Sequence, residues 1–274
     1  SNYAANMIFQ QAGASIKTIP VDAEGLDIEY IKKHFIKNSI RCVYICAHRD
    51  YPTTVKLSTA RRLALLQLAK EFGFAIIEDD YDYDFQFEGS PMLPMASADG
   101  NGMVIYLGKL GQSLFPSFQT GFVVAPDNLI SEAKNYLQLL DKQGDFIQEQ
   151  MLSELINEGE ISRLMKKNVV RYKERRDSLC ALLKEQFSTI AHWEIPTGGL
   201  AIWLQFNPKI SLVKLAEEAE KNDLFLPKTI LYQDKNTCAI HFGFGHLDTG
   251  EMFLVVGKLK KAYTKLSKEL PTNG

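Results

Sequence analysis

The residues of this chain best suited to chemistry are an acidic run, Glu78 to Asp84, and a single glutamine, Gln112. The acidic run follows the apolar segment Phe74 to Ile77, which is typical of a buried strand. In open α/β folds, ligands bind at the carboxyl ends of parallel strands, so carboxylates at this position face a ligand site. Gln112 follows another apolar segment, Met103 to Leu107. An amide is not nucleophilic, so Gln112 can hydrogen-bond to a ligand but cannot form a covalent bond with it.

The acidic run has two further interpretations. Asp80, Asp82 and Asp84 have the alternating spacing of the first ligands of a calcium loop. The sixth position of that loop is Phe85 instead of glycine, and the twelfth is Pro91 instead of glutamate, which argues against calcium. The run could also be a solvated acidic loop that binds nothing.

The pattern of apolar residues predicts strands alternating with helices, which indicates βαβ units and a mainly parallel sheet. We predict strands at 15–21, 40–46, 74–77, 103–107, 120–124, 200–206 and 238–242, and helices at 1–14, 27–35, 58–72, 129–140, 146–157, 161–187, 212–222 and 251–266. The helix at 58–72 should begin at an N-cap, Ser58, and end at Gly73. Its apolar face should include Leu63, Leu66 and Phe72.

The whole chain therefore reads as an α/β protein with a large domain over 1–157 and a smaller α+β domain over 158–274. It has 274 residues, 46% of them hydrophobic and 23% charged, which is a globular composition. A net charge of -2 argues against this chain binding nucleic acid or an acidic membrane by itself. The sequence contains neither a membrane-spanning apolar run nor a signal peptide, and its four cysteines form no CxxC pair, so we expect a cytoplasmic protein with free thiols.

Two segments carry a resemblance to a known family. The segment from Val104 to Pro116 resembles the cofactor-lysine signature of pyridoxal-phosphate enzymes of the aspartate aminotransferase fold. The acidic run is similar to a motif in the aminotransferase-like domain of MocR-type regulators, a branch of the GntR family. The similarity is nearly end to end, and its other matching segments are Gly13–Asp27, Tyr51-Pro52-Thr53, Arg175-Arg176-Asp177 and Gly198-Gly199-Leu200.

The resemblance implies a role for several residues. Asp79 matches the carboxylate that pairs with the pyridine nitrogen of pyridoxal 5'-phosphate, and Tyr81 matches the tyrosine that binds the ring oxygen. Tyr51 and His241 are implied contacts of a substrate or effector. His241 falls where many relatives carry an arginine for the substrate carboxylate.

The chain also departs from the family pattern. Gln112 replaces the lysine that forms the Schiff base, and Gln119 replaces an arginine on the cofactor phosphate. Two smaller departures are Gly111 in place of a serine and Thr54 in place of the glycine of a proline-threonine-glycine turn. If the segment around Lys109 is an irregular turn, its amine faces the phosphate subsite and replaces part of the charge lost at Gln119; otherwise Lys109 is a solvated surface lysine.

Together these features give one main hypothesis and two alternatives. The main hypothesis is an aminotransferase-like domain of a MocR/GntR-type regulator that has lost catalysis and serves in effector sensing and dimerisation. It implies weak or absent cofactor binding, an amino-acid-like effector, a homodimer, and DNA binding only through a winged-helix domain encoded before Ser1, where the phosphate loop would also lie. The alternatives are an active pyridoxal-phosphate aminotransferase and an interaction module that binds no small molecule.

Overall fold

The computed structural model describes residues 2–89, 92–110, 120–142 and 144–268. Its helices are α1 Tyr3–Gln11, α2 Ile28–His34, α3 Thr59–Phe72, α4 Asp127–Leu139, α5 Phe146–Asn157, α6 Glu160–Phe187, α7 Leu212–Glu220 and α8 Thr249–Lys268. Its strands are β1 Val21–Asp22, β2 Gly25–Leu26, β3 Cys42–Ile45, β4 Ala75–Asp80, β5 Val104–Leu110, β6 Thr120–Val124, β7 Ala191–His192, β8 Ala201–Phe206, β9 Leu231–Gln233 and β10 Cys238–Gly243. Within these ranges, no helix is long and apolar enough to cross a membrane.

The described chain divides into two compact units, and the division falls inside α6. The first unit consists mainly of residues 5–51 and 55–169, and the second mainly of residues 170–274. The predicted domain boundary between residues 157 and 158 stays a prediction.

The first unit is built on a four-stranded sheet in the order β3-β4-β5-β6. Strands β3, β4 and β5 are parallel, and β6 runs antiparallel to β5. The mainly parallel α/β sheet expected from the sequence is thereby confirmed. Its core packs α2 and α3 on the sheet, with Ile31, Leu65 and Ile76 fully buried.

Helix α3 begins and ends at the predicted residues. The Ser58 side chain accepts a hydrogen bond from the Arg61 backbone N–H, and Gly73 takes the left-handed conformation with φ of 72°. The predicted apolar face was partly wrong, because Leu63 is 58% exposed. The buried stripe instead contains Leu65, Leu68 and Ala69, and Leu63 lies about 200° around the helix axis from Leu65.

The strand predicted at 15–21 was also wrong. Only Val21–Asp22 is paired, in a short hairpin with Gly25–Leu26. A strand needs a neighbouring strand that satisfies its backbone groups, and none of the described strands is paired with residues 15–20.

The second unit contains a four-stranded antiparallel sheet in the order β7-β8-β10-β9. Helices α7 and α8 pack against each other, and the core includes the fully buried Leu204, Leu215, Ile240 and Leu259. The predicted compact α+β arrangement of this part is the one observed. Strands β7 and β9 were not predicted, because two or three residues are too few to show an alternating pattern.

Candidate functional site

The acidic run begins inside β4, and the alternation of that strand separates its carboxylates. Successive side chains of a strand point to opposite faces, so Asp79 lies on one face and Glu78 and Asp80 lie on the other. Glu78 and Asp80 are buried, whereas Asp79 is partly exposed. Asp79 is therefore the carboxylate of this strand that a ligand can reach.

Asp79 is held by a tyrosine from the neighbouring strand. The Tyr44 hydroxyl donates a short hydrogen bond to Oδ2 of Asp79. Burial raises the pKa of the Asp79 carboxyl, while the Tyr44 hydrogen bond and the positive charge of Lys109 lower it. A carboxylate with one fixed oxygen and a nearby cation is suited to pairing with a protonated ring nitrogen.

Tyr81 comes directly after β4, in a turn. Its hydroxyl lies 3.4 Å from the Arg49 carbonyl oxygen, to which it donates. Burial, followed by the negative charge of Asp82, raises the pKa of the Tyr81 phenol above its ordinary value. The phenol therefore stays neutral and able to donate a hydrogen bond at physiological pH.

The carboxylates on the opposite face of β4 make contacts within the protein. The carboxylate of Glu78 accepts hydrogen bonds from the backbone N–H groups of Met95 at 3.0 Å and Ala96 at 3.2 Å. Asp80 accepts a hydrogen bond from the Tyr106 hydroxyl at 2.9 Å, and its Oδ2 lies 3.0 Å from Nδ1 of His48. These carboxylates anchor the segments that surround the sheet.

Arg49 holds the turn that carries Tyr81. Its guanidinium is 3% exposed and donates to the carbonyl and the side chain of Asp82, both at 3.1 Å. It also donates to the Phe85 carbonyl at 3.1 Å and to Oε1 of Gln86 at 2.9 Å. The buried Arg49 guanidinium thus stabilises the turn after β4 through four hydrogen bonds.

These contacts decide between the interpretations of the acidic run. Asp80 and Asp82 are each less than one-tenth exposed and turn toward different partners, which contradicts a solvated loop. Across the described ranges, no group of three or more acidic, histidine or cysteine side chains could hold a metal ion.

Of the cofactor residues predicted between Lys109 and Gln119, only Lys109 belongs to the described part of the chain. Gln112 and Gln119, with Gly111, lie outside the described residues. Lys109 is an exposed residue of β5, opposite Gly121 of β6, so the irregular turn that was the condition for its phosphate contact is not present at Lys109. Its charge still acts on Asp79 from this position.

Tyr51 and His241 lie in different units. Tyr51 is partly buried in a turn that closes with a backbone hydrogen bond from Asp50 to Val55 at 2.7 Å. Thr54 in this turn has φ of 63°, a conformation that favours the glycine expected there. His241 lies in β10 opposite Trp203, and burial lowers its pKa to about 4. At neutral pH His241 is therefore uncharged and cannot replace the charge of an arginine.

Tyr44 was not predicted from the sequence, nor were the hydrogen bonds by which Arg49 holds the turn after β4. Tyr44 is separated from Asp79 by 35 positions, and their contact depends on the pairing register of β3 and β4. The signal that could have identified this contact is the alternation of side chains along the two strands. Tyr44 and Asp79 lie on the same face of the sheet once Tyr44 is paired with Ile77.

Sequence comparisons relate the chain to two kinds of protein. No protein-family model matches it. It is 25% identical over 248 residues to the HTH-type transcriptional regulator YisV of Bacillus subtilis, covering 89% of this chain and 51% of YisV. It is 28% identical over 236 residues to the aminotransferase SSO0104 of Saccharolobus solfataricus, covering 83% of this chain and 59% of that protein. The chain thus spans between half and three fifths of the length of these relatives.

Solved structures define the fold. LysN, the α-aminoadipate aminotransferase of Thermus thermophilus, matches with a TM-score of 0.88 and 22% identity, over 98% of this chain and 70% of LysN. The multiple substrate aminotransferase of Thermococcus profundus matches with a TM-score of 0.87 and 24% identity, over 97% of this chain and 68% of that enzyme. The chain has the fold of the type I pyridoxal-phosphate-dependent transferases.

Among the sequence relatives is also the regulatory protein MocR of Rhizobium meliloti, 25% identical over 258 residues, or 93% of this chain and 51% of MocR. The chain is accordingly similar, over most of its length, both to aminotransferases and to the part of MocR-type regulators that it covers.

Proposed function

We propose that this domain binds an amino-acid-like effector for a transcriptional regulator and does not catalyse transamination. The observation that supports the proposal is the partly exposed Asp79, held by Tyr44, in a sequence whose resemblance to the family aligns Gln112 with the lysine position. Under this proposal the recognition half of an aminotransferase site is kept, while an amide stands in place of the nucleophile.

The described residues fit pyridoxal phosphate in part. Asp79 offers a carboxylate for the ring nitrogen, Tyr81 offers a neutral phenol, and Lys109 offers a positive charge beside them. When bound in working enzymes of this fold, the cofactor supplies an electron-withdrawing ring. In this chain Asp79, Tyr81 and Lys109 would hold the cofactor without a covalent link, so we expect weak binding.

A charged hydrogen bond contributes about 1.5 to 3 kcal/mol. Losing both the covalent link and an arginine at position 119 should therefore weaken the cofactor complex by several kcal/mol. A stoichiometric complex that survives dialysis would contradict this expectation.

The catalytic half of the proposal is tested with the purified protein and its Gln112→Lys variant. Each is mixed with pyridoxal phosphate, reduced with borohydride and analysed by peptide mass spectrometry. The variant should gain a cofactor adduct at residue 112, and the unaltered protein should show none there. Amino-group exchange by the unaltered protein would favour an active aminotransferase instead.

Effector binding is tested by calorimetry with a panel of amino acids, with Asp79→Asn as the matched variant. Binding that the variant weakens supports the proposed site. An absence of binding to pyridoxal phosphate and to every amino acid would favour an interaction module.

The regulatory half of the proposal rests on the relatives and is tested by the complete reading frame. We propose that a helix-turn-helix segment is encoded upstream of Ser1 and supplies DNA binding. A reading frame without such a segment would contradict this part alone and leave the ligand site in place.

We also propose that the domain works as a homodimer. Supporting this, β6, α4 and α5 of the first unit expose many large apolar side chains, which is typical of an interaction surface. The exposed residues include Val123, Val124, Tyr136, Leu139, Phe146 and Ile147.

A further inference from the structure

Tyr44 and Asp79 form a contact between two adjacent parallel strands. Tyr44 of β3 is paired with Ile77 of β4, which places its side chain on the face that carries Asp79. The Tyr44 hydroxyl then reaches Oδ2 of Asp79. The Tyr44 ring is packed edge-on against Phe9, with ring centroids 5.7 Å apart. Both the ring and the hydroxyl of Tyr44 therefore contact neighbouring side chains.

The other carboxylate oxygen of Asp79, Oδ1, is the one to which a ligand could donate a hydrogen bond. Within the described part of the chain, Tyr44 is the sole hydrogen-bond donor to this carboxylate, and it binds Oδ2 only. Asp79 is partly exposed, unlike Glu78 and Asp80 on either side of it. Oδ1 is thus left for a donor that the described residues do not provide.

We propose that Tyr44 is the positioning residue of the ligand site: its hydroxyl fixes Oδ2 of Asp79 and so directs Oδ1 to the ring nitrogen of a pyridoxal-type ligand. The identity of the ligand rests on the proposed function, whereas the Tyr44–Asp79 pair is formed without any ligand. The two claims can therefore fail separately.

The sign of the expected effect follows from the charge of the carboxylate. Burial raises the pKa of Asp79 and the Tyr44 hydrogen bond lowers it, so removing the hydroxyl should raise this pKa further. A protonated ring nitrogen pairs with the ionised carboxylate. Tyr44→Phe should therefore move the acid limb of ligand binding to higher pH.

The first experiment needs no ligand. The side-chain carboxyl carbon of Asp79 is followed by ¹³C NMR as a function of pH in the unaltered protein, in Tyr44→Phe and in Tyr106→Phe. Tyr106 is a matched control, because its hydroxyl binds Asp80 on the opposite face of β4. We expect a raised Asp79 midpoint in Tyr44→Phe alone, and the same spectra show whether each variant is folded.

The second experiment measures binding of pyridoxal phosphate by calorimetry across the same pH range. Tyr44→Phe should bind about tenfold more weakly at neutral pH, in line with the loss of a hydrogen bond to a charged group, and its acid limb should lie at higher pH. Tyr106→Phe should keep the unaltered profile.

An unmoved Asp79 midpoint, or a binding profile unchanged in Tyr44→Phe, would overturn the positioning role while the proposed function stands. If the unaltered protein binds neither pyridoxal phosphate nor any amino acid, the proposed function fails. The NMR titration then decides the role of Tyr44 by itself, and a raised midpoint supports it.

Discussion

At the scale of single residues, a one-position difference along β4 separates a partly exposed carboxylate from two buried ones. Glu78 and Asp80 accept hydrogen bonds from internal donors, while Asp79 between them accepts one from Tyr44 through Oδ2 and none through Oδ1 from any described residue. Consecutive carboxylates that look equivalent in sequence thus have different surroundings, because a strand turns them to opposite faces.

Among the contacts that hold the turn after β4, those of the buried Arg49 should contribute most to the free energy of unfolding. Arg49→Met removes the cation paired with Asp82 and leaves a buried carboxylate without compensation. Breaking such a pair typically costs 3–5 kcal/mol. We expect a loss of about 3 kcal/mol in the free energy of unfolding, measured by urea denaturation.

The control for this prediction is Arg163→Met, which removes an exposed ion pair with Glu160 on α6. Exposed pairs contribute about 0–1 kcal/mol, so this variant should remain close to the unaltered protein. Equal losses in the two variants would show that the Arg49 contacts do not hold the turn.

How far the sequence predicts this site depends on how local each feature is. Asp79 and Tyr81 belong to one short motif, so the sequence can propose both, and their roles stay predictions. Tyr44 and Arg49 act through contacts with residues more than thirty positions away, which requires the strand order and register. No pattern within a single segment contains that information.

At the scale of elements, α3 illustrates what local chemistry determines. Its ends were predicted correctly because Ser58 and Gly73 satisfy backbone groups by themselves. Its buried face was partly misassigned because apolar residues occur on more than one side of the helix, and only contact with the sheet selects the stripe. The short strands β7 and β9 likewise depend on their neighbours.

The buried face of α3 can be checked with a matched pair of leucines. Leu65 is fully buried, whereas Leu63 in the same helix is mostly exposed. Leu65→Ala should lower the free energy of unfolding by about 2–5 kcal/mol through lost burial and a cavity. Leu63→Ala should change it by no more than about 0.5 kcal/mol, and a larger loss there would contradict the observed face.

At the scale of the whole molecule, the exposed apolar side chains of the first unit bear on assembly. Phe146 and Ile147 at the start of α5 are each 79% exposed. A dimer interface would bury such residues, and charged substitutions there should oppose association. Replacing both residues by glutamate should therefore weaken self-association at least tenfold in sedimentation equilibrium.

Phe225 gives the control for that measurement, because it is 73% exposed in the second unit. Phe225→Glu should leave the association constant unchanged if the interface lies on α5. An unaltered protein that sediments as a monomer at all concentrations would contradict the proposed homodimer.

We propose above all that this domain keeps a recognition site of the aminotransferase type without the covalent chemistry. The most direct test of this claim is the incubation of the unaltered protein with pyridoxal phosphate and an amino acid, followed by detection of the keto acid. We predict that no keto acid forms and that borohydride attaches no cofactor at residue 112. Formation of the keto acid with turnover by this polypeptide would contradict the claim.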